Sequence, residues 1–345
     1  ILMFMFSIGG ATFGMSEEAI AFVAVLMPLV LALGYDSIVA VAITYLACNL
    51  GFSAAMLNPF TVGIAQSIAG IQLYSGVEFR TLVWFVSTLV GCGFVMFYAM
   101  KIKKNPELSP MFEHDQVKRE KLKSTESEHT EFTLRHKIII AALFTSIALV
   151  VYGVLKLEFW IPQIAAVFLG LGIISGLVGK LAPNEIAEAF TDGAKDMIGA
   201  AIMIGLAKSV MIIAQNANII DTILFNLANV VGQLPSLIAS YIMFVIQMFI
   251  NFFVSSGSGQ AALTMPILAP LGDLVGISRQ LSVLIYQLGD GFSNAMFPTS
   301  GVLIACLGMA GVPYGKWLKW ILPLQAILFM TVQRKHILMK HQEKL

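Results

Sequence analysis

Two long stretches of the sequence contain no charged residue. Residues 37–77 and residues 222–272 lack Asp, Glu, Lys and Arg, and the second stretch is 51 residues long. One membrane-spanning helix needs only about 20 apolar residues, so each stretch must fold back on itself or cross a bilayer more than once. Of all residues, 58% are hydrophobic and 12% are charged, whereas about 25% are charged in a soluble domain. The chain is therefore predicted to be an all-α polytopic membrane protein.

A short sequence occurs twice, at residues 51–56 (GFSAAM) and at residues 291–296 (GFSNAM). Related residues surround both copies when two residues of slippage are allowed: Ser16, Ala19, Leu26, Pro28, Leu29 and Gly34 match Ser258, Ala261, Leu268, Pro270, Leu271 and Gly276. Duplicated modules built on Gly- and Pro-interrupted apolar helices are typical of secondary transporters, whose halves often have inverted topology. We therefore predict two inverted-topology repeats and a transport function.

Each repeat is predicted to contain a re-entrant helical hairpin followed by a discontinuous transmembrane helix. The hairpin tips are the segments GGATFGMSEE (residues 9–18) and SSGSGQ (residues 255–260), and the helix breaks are GFSAAMLNP (residues 51–59) and GFSNAMFPTSG (residues 291–301). Gly, Pro, Ser and Asn weaken or interrupt helical hydrogen bonding. Non-helical backbone at membrane depth is tolerated only where protein or a water-filled cavity satisfies its polar groups. The tips and breaks are therefore expected to line a cavity.

Composition also suggests how the chain is divided. Residues 101–137 form the only extended hydrophilic segment, and their nine Lys and Arg residues predict a cytoplasmic loop by the positive-inside rule. Residues 183–195 and 219–231 have polar faces that suit interfacial helices, and residues 197–214 suit a span that contains Lys208. The predicted segments are residues 1–76 (first hairpin and broken helix, an N-terminally truncated repeat), 77–100 (scaffold helix), 101–137 (charged loop), 138–234 (scaffold and interfacial helices), 235–312 (second hairpin and broken helix) and 313–345 (last helix and basic tail).

Polar residues at the tips and breaks are the candidates for binding a substrate. Ser16 and Ser258 begin the returning hairpin helices, whose free N–H groups attract a carboxylate, although both could serve only as helix caps. Hydroxyl, amide and freed carbonyl oxygens at the breaks suit a cation or a polar substrate, although small residues there could serve only close helix packing. The predicted substrate-binding residues are Ser16, Glu17, Glu18, Asn58, Ser256, Ser258, Ser293, Asn294 and Thr299.

Carboxylates inside the apolar segments are the candidates for ion coupling. Glu17 and Glu18 stand in the first tip where the second tip is uncharged, and Asp290 directly precedes the second break. An intramembrane carboxylate is usually a proton carrier, a cation ligand or a counter-ion, although a Glu in a first helical turn could simply complement the helix dipole. The coupling ion is predicted to be Na+ or H+, with no other metal or cofactor. Its predicted ligands are Glu17, Asp290, Ser53, Asn58 and Asn294.

Several other functions are not expected. The net charge of +1 and the lack of a basic stripe with interleaved aromatic residues argue against a nucleic-acid partner. Cys48, Cys92 and Cys306 lack metal-ligand spacing and are interpreted as packing residues. All five histidines lie in hydrophilic segments and no HExxH motif occurs, so a membrane enzyme is not expected. A channel or a membrane sensor is the alternative from another class, because it would draw on the same residue types.

Four motifs resemble one transporter family. Residues 6–19 (FSIGGATFGMSEEA), 34–37 (GYDS), 58–65 (NPFTVGIA) and 293–303 (SNAMFPTSGVL) resemble the YfcC-like branch of the anaerobic four-carbon dicarboxylate carrier (DcuC-like) family. More distantly, the pattern is similar to the p-aminobenzoyl-glutamate and citrate/dicarboxylate transporters. The resemblance covers essentially the whole chain. It implies a multi-pass protein of the bacterial inner membrane, a homodimer with a scaffold domain and a mobile domain in each protomer.

The resemblance also implies a function. An ion-coupled, elevator-type symporter or antiporter would carry small carboxylate-bearing metabolites, such as four-carbon dicarboxylates or amino acids. The alternative is a basic amino acid antiporter of the arginine/ornithine type. Neither tip and neither break contains Lys or Arg, so a dianionic substrate would depend on helix dipoles, hydroxyl groups and co-bound cations. The expected partners are therefore this small molecule and the lipid bilayer.

Overall fold

The computed structural model describes residues 1–125, 133–157, 159, 161–219, 222, 226 and 229–342, and every regular element among them is helical. The all-α prediction is confirmed. The chain forms two compact units, one made of Ile1–Asp115 with Gly199–Leu345 and the other of Gln116–Ile198. The tips and breaks all belong to the first unit.

The first repeat contains four helices. They are α1 (Leu2–Phe13), α2 (Ala19–Ala32), α3 (Ser37–Ser53, with a π-helical turn at Ala42–Leu46) and α4, which joins a π-helical turn at Pro59–Gly63 to Ile64–Ala69. Gly14 ends α1 at φ 78°, a left-handed conformation that glycine adopts without steric cost. Asp36 caps α3, because its Oδ1 accepts from Val39 N at 2.9 Å. Asn58 caps α4 in the same way, with Phe60 N at 2.9 Å.

A long helix follows the first repeat. Helix α5 (Val77–Lys104) has 28 residues and so extends about 42 Å, which is enough to cross a bilayer. It ends in Lys101, Lys103 and Lys104, whose charges complement the C-terminal end of the helix dipole. Beyond a 3₁₀ turn at Pro106–Leu108 lies α6 (Phe112–Thr125). Asp115 of α6 accepts a hydrogen bond from Ser37 N at 2.7 Å, which joins the first turn of α6 to the start of α3.

The next three helices correct one prediction from the sequence. They are α7 (Leu134–Lys156), α8 (Ile161–Gly179) and α9 (Pro183–Asn216). The interfacial helix expected at residues 183–195 and the span expected at residues 197–214 form one continuous helix of 34 residues. No Pro follows Pro183 in this segment, and Asp192-Gly193, a dipeptide typical of turns, is accommodated inside the helix. The side chain of Lys208, most of the helix expected at residues 219–231 and the side chains of the basic tail lie outside the described residues.

The second repeat has the same order of elements as the first. It contains α10 (Ser236–Phe253), α11 (Gly257–Leu274), α12 (Arg279–Asn294) and α13 (Gly301–Ala310), and α14 (Tyr314–Gln342) follows. By length and composition, α5 and α10 could each cross a membrane, and α13 with α14 could form a third span bent by 118°.

The helices of the two repeats contact one another in a reciprocal pattern. Helix α1 packs on α3, and its counterpart α10 packs on α12. The returning hairpin helix α2 contacts α13, whereas α11 contacts α4. Each returning helix therefore lies against the second half of the other repeat's broken helix. Glycines allow the closest approaches: a Cβ on Gly51 would lie 1.9 Å from Ser7 O, and a Cβ on Gly289 would lie 2.5 Å from Gln247 Cβ.

The tips and breaks are shorter than the sequence predicted. The first tip is residues 14–18 rather than 9–18, and the second is residues 254–256 rather than 255–260. The breaks are residues 54–58 and 295–300, so Ser53, Ser293 and Asn294 belong to the last helical turns before them. Glycines inside these helices are tolerated because they allow neighbouring backbones to approach closely. The inverted topology, the re-entrant nature of the hairpins and the segment boundaries stay predictions.

Candidate functional site

Asp290 is a fully buried acid on α12. The Asn294 amide approaches its carboxylate, but neither carboxylate oxygen completes a hydrogen bond with any described residue. The start of α11 faces this group, because a Cβ built on Gly257 would lie 3.3 Å from Oδ2 of Asp290. A buried charge without a partner costs several kcal/mol. This carboxylate is therefore suited to a cation, a proton or a positively charged part of a substrate.

Asn251 of α10 organises the residues around Asp290. Its Nδ2 lies 3.0 Å from Asp290 O, 2.7 Å from Ser293 Oγ and 2.8 Å from Asn294 Oδ1. The side chain is fully buried, and its Oδ1 has no partner among the described residues. Asn251 is not among the residues predicted from the sequence. The available signal was a pair of amides one helical turn apart, Gln247 and Asn251, within the 51-residue stretch without charges.

The first break contributes two buried polar groups. Asn58 uses its Oδ1 to cap α4, while its Nδ2 has no partner in the described part of the chain. Gly14 of the first tip lies against this amide, since a Cβ there would lie 2.8 Å from both Oδ1 and Nδ2 of Asn58. Thr61 has an unpartnered buried Oγ1 as well, and its Cγ2 lies 2.6 Å from the Cβ position of Gly257. Thr61 and Asp290 therefore both lie next to Gly257.

The second tip is tied to the second break. Ser255 Oγ donates to Thr299 O at 2.9 Å, while the buried Thr299 Oγ1 has no described partner. Ser256 caps α11 through a long contact of 3.4 Å with Gly259 N, and Ser258 is half-buried in the first turn of that helix. Tyr286 OH donates to Gly257 O at 2.5 Å, which fixes the start of α11 on α12.

Some of the predicted oxygens are already used by the fold. Ser53 Oγ donates to Asn49 O at 2.6 Å, and Ser293 Oγ donates to Gly289 O at 2.7 Å. The carbonyl oxygens freed at the second break accept hydrogen bonds from aromatic donors: Asn294 O from Tyr45 OH at 2.8 Å, Ala295 O from Trp317 Nε1 at 2.8 Å and Met296 O from Tyr314 OH at 2.6 Å. Side-chain groups, rather than these carbonyl oxygens, therefore remain available to bind a ligand.

The two acidic residues of the first tip are less buried than Asp290. Glu17 is exposed, whereas Glu18 is half-buried and its Oε2 accepts from Ser16 N at 3.1 Å. Ser16 lies before the helix, because Ala19 N donates to Ser16 O at 3.1 Å and Glu18 holds the capping position of α2. Within the described residues, no group of three or more His, Cys, Asp and Glu is placed to hold a metal ion.

The sequence matches a family of carriers and two bacterial proteins. The family described as C4-dicarboxylate anaerobic carrier (DcuC) matches residues 1–341. The chain is 43% identical over 340 residues to YfcC of Escherichia coli strain K12, a candidate basic amino acid antiporter, and the match covers 95% of this chain and 67% of YfcC. An uncharacterized protein of Haemophilus influenzae strain Rd is 35% identical over 325 residues, which cover 94% of this chain and 64% of that protein.

The chain spans about two thirds of the length of these two relatives. A solved structure has a similar fold. The crystal structure of the Alcanivorax borkumensis YdaH transporter is matched with a TM-score of 0.51 at 18% sequence identity, over 96% of this chain and 76% of that one. At this identity the similarity concerns the fold alone.

Proposed function

We propose that this chain, which belongs to the C4-dicarboxylate anaerobic carrier family, is an ion-coupled secondary active transporter. Its substrates would be small carboxylate-bearing metabolites, such as four-carbon dicarboxylates or amino acids. The family match confirms the resemblance drawn from the four sequence motifs. In this proposal the protein is a multi-pass homodimer of the bacterial inner membrane and moves its transport domain as an elevator.

The observation that carries the proposal is the unpaired carboxylate of Asp290. It lies between the two repeats, because the Cβ position of Gly257 meets both this carboxylate and Thr61 of the first repeat. A charge buried at such a junction is stable only when a proton, a cation or a substrate group neutralises it. Movement of α11 relative to α12 would change that neutralisation. This is how ion binding and movement of the transport domain would be coupled.

The reciprocal packing of the repeats supports the rest of the mechanism. The two returning helices, α2 and α11, each contact the broken helix of the other repeat, as expected of hairpin tips that meet at a shared site. In this arrangement Asn58, Thr61, Ser256, Ser258, Asn294 and Thr299 complete the substrate and ion site. The lysines at the end of α5 would lie on the cytoplasmic side.

A second candidate is an antiporter of basic amino acids. The acidic residues favour this candidate. Asp290 has no cationic partner among the described residues, and the first tip contributes two more acids, Glu17 and Glu18. The name of YfcC points to the same class of substrate. The α-carboxylate of such a substrate would bind at a helix N-terminus, and its side-chain cation would bind near Asp290.

Counterflow in proteoliposomes tests both candidates. Vesicles that contain the purified protein are loaded with unlabelled arginine, ornithine, succinate or fumarate, and uptake of the labelled compound is followed with and without Na+ or a pH gradient. Saturable counterflow of one class that is lost in Asp290→Asn supports the proposal and selects between the candidates. Non-saturable flux would indicate a channel. Unchanged, ion-independent counterflow in Asp290→Asn would contradict the proposed role of this carboxylate.

A further inference from the structure

Arg80 is a buried cation far from any tip or break in the sequence. It lies in the first turns of α5, and only 3% of the residue's surface is exposed. Its Nη1 has no hydrogen-bond partner among the described residues, and its Nη2 makes one long contact of 3.4 Å with Gln280 Oε1. The ion pairs found in the described part of the chain, Lys195 with Asp192 and Arg279 with Asp273, do not include Arg80. The part of the chain that the structure describes therefore provides no anion for this guanidinium.

The guanidinium lies near the N-terminal end of α5. Gly76 occupies the capping position at φ 71° and provides no side-chain acceptor, so the first N–H groups of the helix have no side-chain cap. Helical side chains lean toward the N-terminus of their helix, which places the Arg80 head group beside that turn. The contact with Gln280 agrees, since Gln280 Nε2 donates to the hydroxyl of Ser75 just before the helix. Glu78 in the same turn is exposed.

Two buried or half-buried amides hold the segment in front of the helix. Gln66 is fully buried; its Nε2 donates to Ser75 O at 2.9 Å, and its Oε1 accepts from Tyr74 N at 2.5 Å. Gln280 fills the space beside Arg80, but its 3.4 Å contact is much longer than the roughly 2.9 Å of a good N–H···O bond. The Gln280 amide is therefore a weak substitute for a stronger, charged acceptor.

We propose that Arg80, the N-terminal N–H groups of α5 and Gln280 form a binding site for a phosphate group. A phosphate accepts paired hydrogen bonds from one guanidinium and further bonds from a helix N-terminus. Neutralising Arg80 also offsets the cost of burying an unpaired charge. The group can come from inorganic phosphate or from a phospholipid head group, because α5 is long enough to cross a bilayer and Arg80 is near one end. This site shares no residue with the proposed transport site.

Thermal unfolding of the purified protein in phosphate-free detergent buffer tests the site. Inorganic phosphate, compared with chloride at equal ionic strength, should raise the melting temperature in a saturable way by about 1–2 °C for each kcal/mol of binding stabilisation. Arg80→Gln should abolish the response. Arg279→Gln should keep it, because Arg279 is exposed and already pairs with Asp273 at 2.9 Å. An equal response in wild type and Arg80→Gln would mean an adventitious ion only and would overturn the proposal.

Two further measurements test the site if Arg80→Gln folds poorly or if the phosphate group belongs to a lipid. Gln280→Glu places a carboxylate beside Arg80, so it should raise the melting temperature without phosphate and remove the phosphate response; a full response in this variant would contradict the site. If phosphate has no effect on wild type, native mass spectrometry should show phosphatidylglycerol retained by wild type and Arg279→Gln and lost from Gln280→Glu. Equal retention by all three proteins would refute the lipid form of the proposal.

Discussion

Gly257 leaves room for the carboxylate of Asp290, since a Cβ on the glycine would lie 3.3 Å from Oδ2. The same Cβ position lies 2.6 Å from Thr61 Cγ2. The start of α11 therefore fits between the two broken helices only because residue 257 has no side chain. Any displacement of this tip changes the surroundings of the buried acid.

Gly257→Val should reduce transport at least tenfold while the protein still reaches the membrane. The added methyl groups would overlap Thr61 and separate the tip from Asp290, and overpacking of this kind typically costs about 1–3 kcal/mol. Counterflow normalised to the amount of folded protein is the measurement. Gly93→Ala is the matched control, because nothing lies within 4 Å of its Cβ position and the substitution should leave transport unchanged. Full activity in Gly257→Val would show that this contact is not needed.

Asp290→Asn and Asp36→Asn should change stability in opposite directions. Asp36 is also buried, but its carboxylate accepts from Val39 N at 2.9 Å, Tyr98 OH at 2.5 Å and Ser109 Oγ at 2.6 Å. Disrupting this network should cost about 1–3 kcal/mol. Asp290 has no such partners among the described residues, so removing its charge should raise the melting temperature at pH 8.

The Asp290→Asn and Asp36→Asn variants should also differ in their transport activity. Asp290→Asn should lose ion-dependent counterflow even though it is more stable, a combination typical of functional sites. Asp36→Asn should keep counterflow per folded molecule. Thermal unfolding and counterflow on the same preparations test both statements. A melting temperature that falls in Asp290→Asn would show that the acid has a structural partner.

The sequence predicted element types better than it predicted contacts. The repeat, the Pro residues and the charge-free stretches were enough to predict helices, tips and breaks. Their boundaries were wrong, because Gly10 and Gly51 were interpreted as helix breakers although close packing of α1 on α3 keeps them helical. The partners of the polar residues were also hidden. The Tyr45 hydroxyl donates to Asn294 O, 249 residues further along the chain, and the Trp317 indole donates to Ala295 O, 22 residues before it.

Asn251→Ala should destabilise the protein by about 1–3 kcal/mol, because it leaves buried acceptors on Ser293 and Asn294 without their donor. Transport should fall together with stability, since the Asn294 side chain loses its 2.8 Å contact. Ser240→Ala on the same helix is the control: its Oγ donates only to Leu237 O at 2.7 Å, and its loss should have little effect. Chemical denaturation and counterflow are the measurements. An Asn251→Ala protein as stable and active as Ser240→Ala would contradict this role.

The two tips should be reached by water from opposite sides of the membrane. In a protein whose three cysteines are replaced, Glu17→Cys and Ser255→Cys place a thiol at exposed positions in each tip. A membrane-impermeant maleimide should label one of them from outside intact cells and the other only in inside-out vesicles, because the repeats are predicted to be inverted. Lys118→Cys in the charged segment reports the cytoplasmic side. Labelling of both tips from one side would exclude inverted repeats.

Neutralising the first tip should reveal the charge of the substrate. Glu17 is exposed, whereas Glu18 Oε2 also accepts from Ser16 N, so Glu17→Gln changes mainly charge and Glu18→Gln changes charge and loop structure. If the substrate is a basic amino acid, both variants should lower the affinity for arginine or ornithine. If it is a dianion, Glu17→Gln should increase the affinity for succinate or fumarate, because a repelling charge is removed. Glu78→Gln, an exposed acid at the start of α5, controls for surface charge. Counterflow of both substrate classes by Glu17→Gln indistinguishable from wild type would remove the first tip from the proposed binding site.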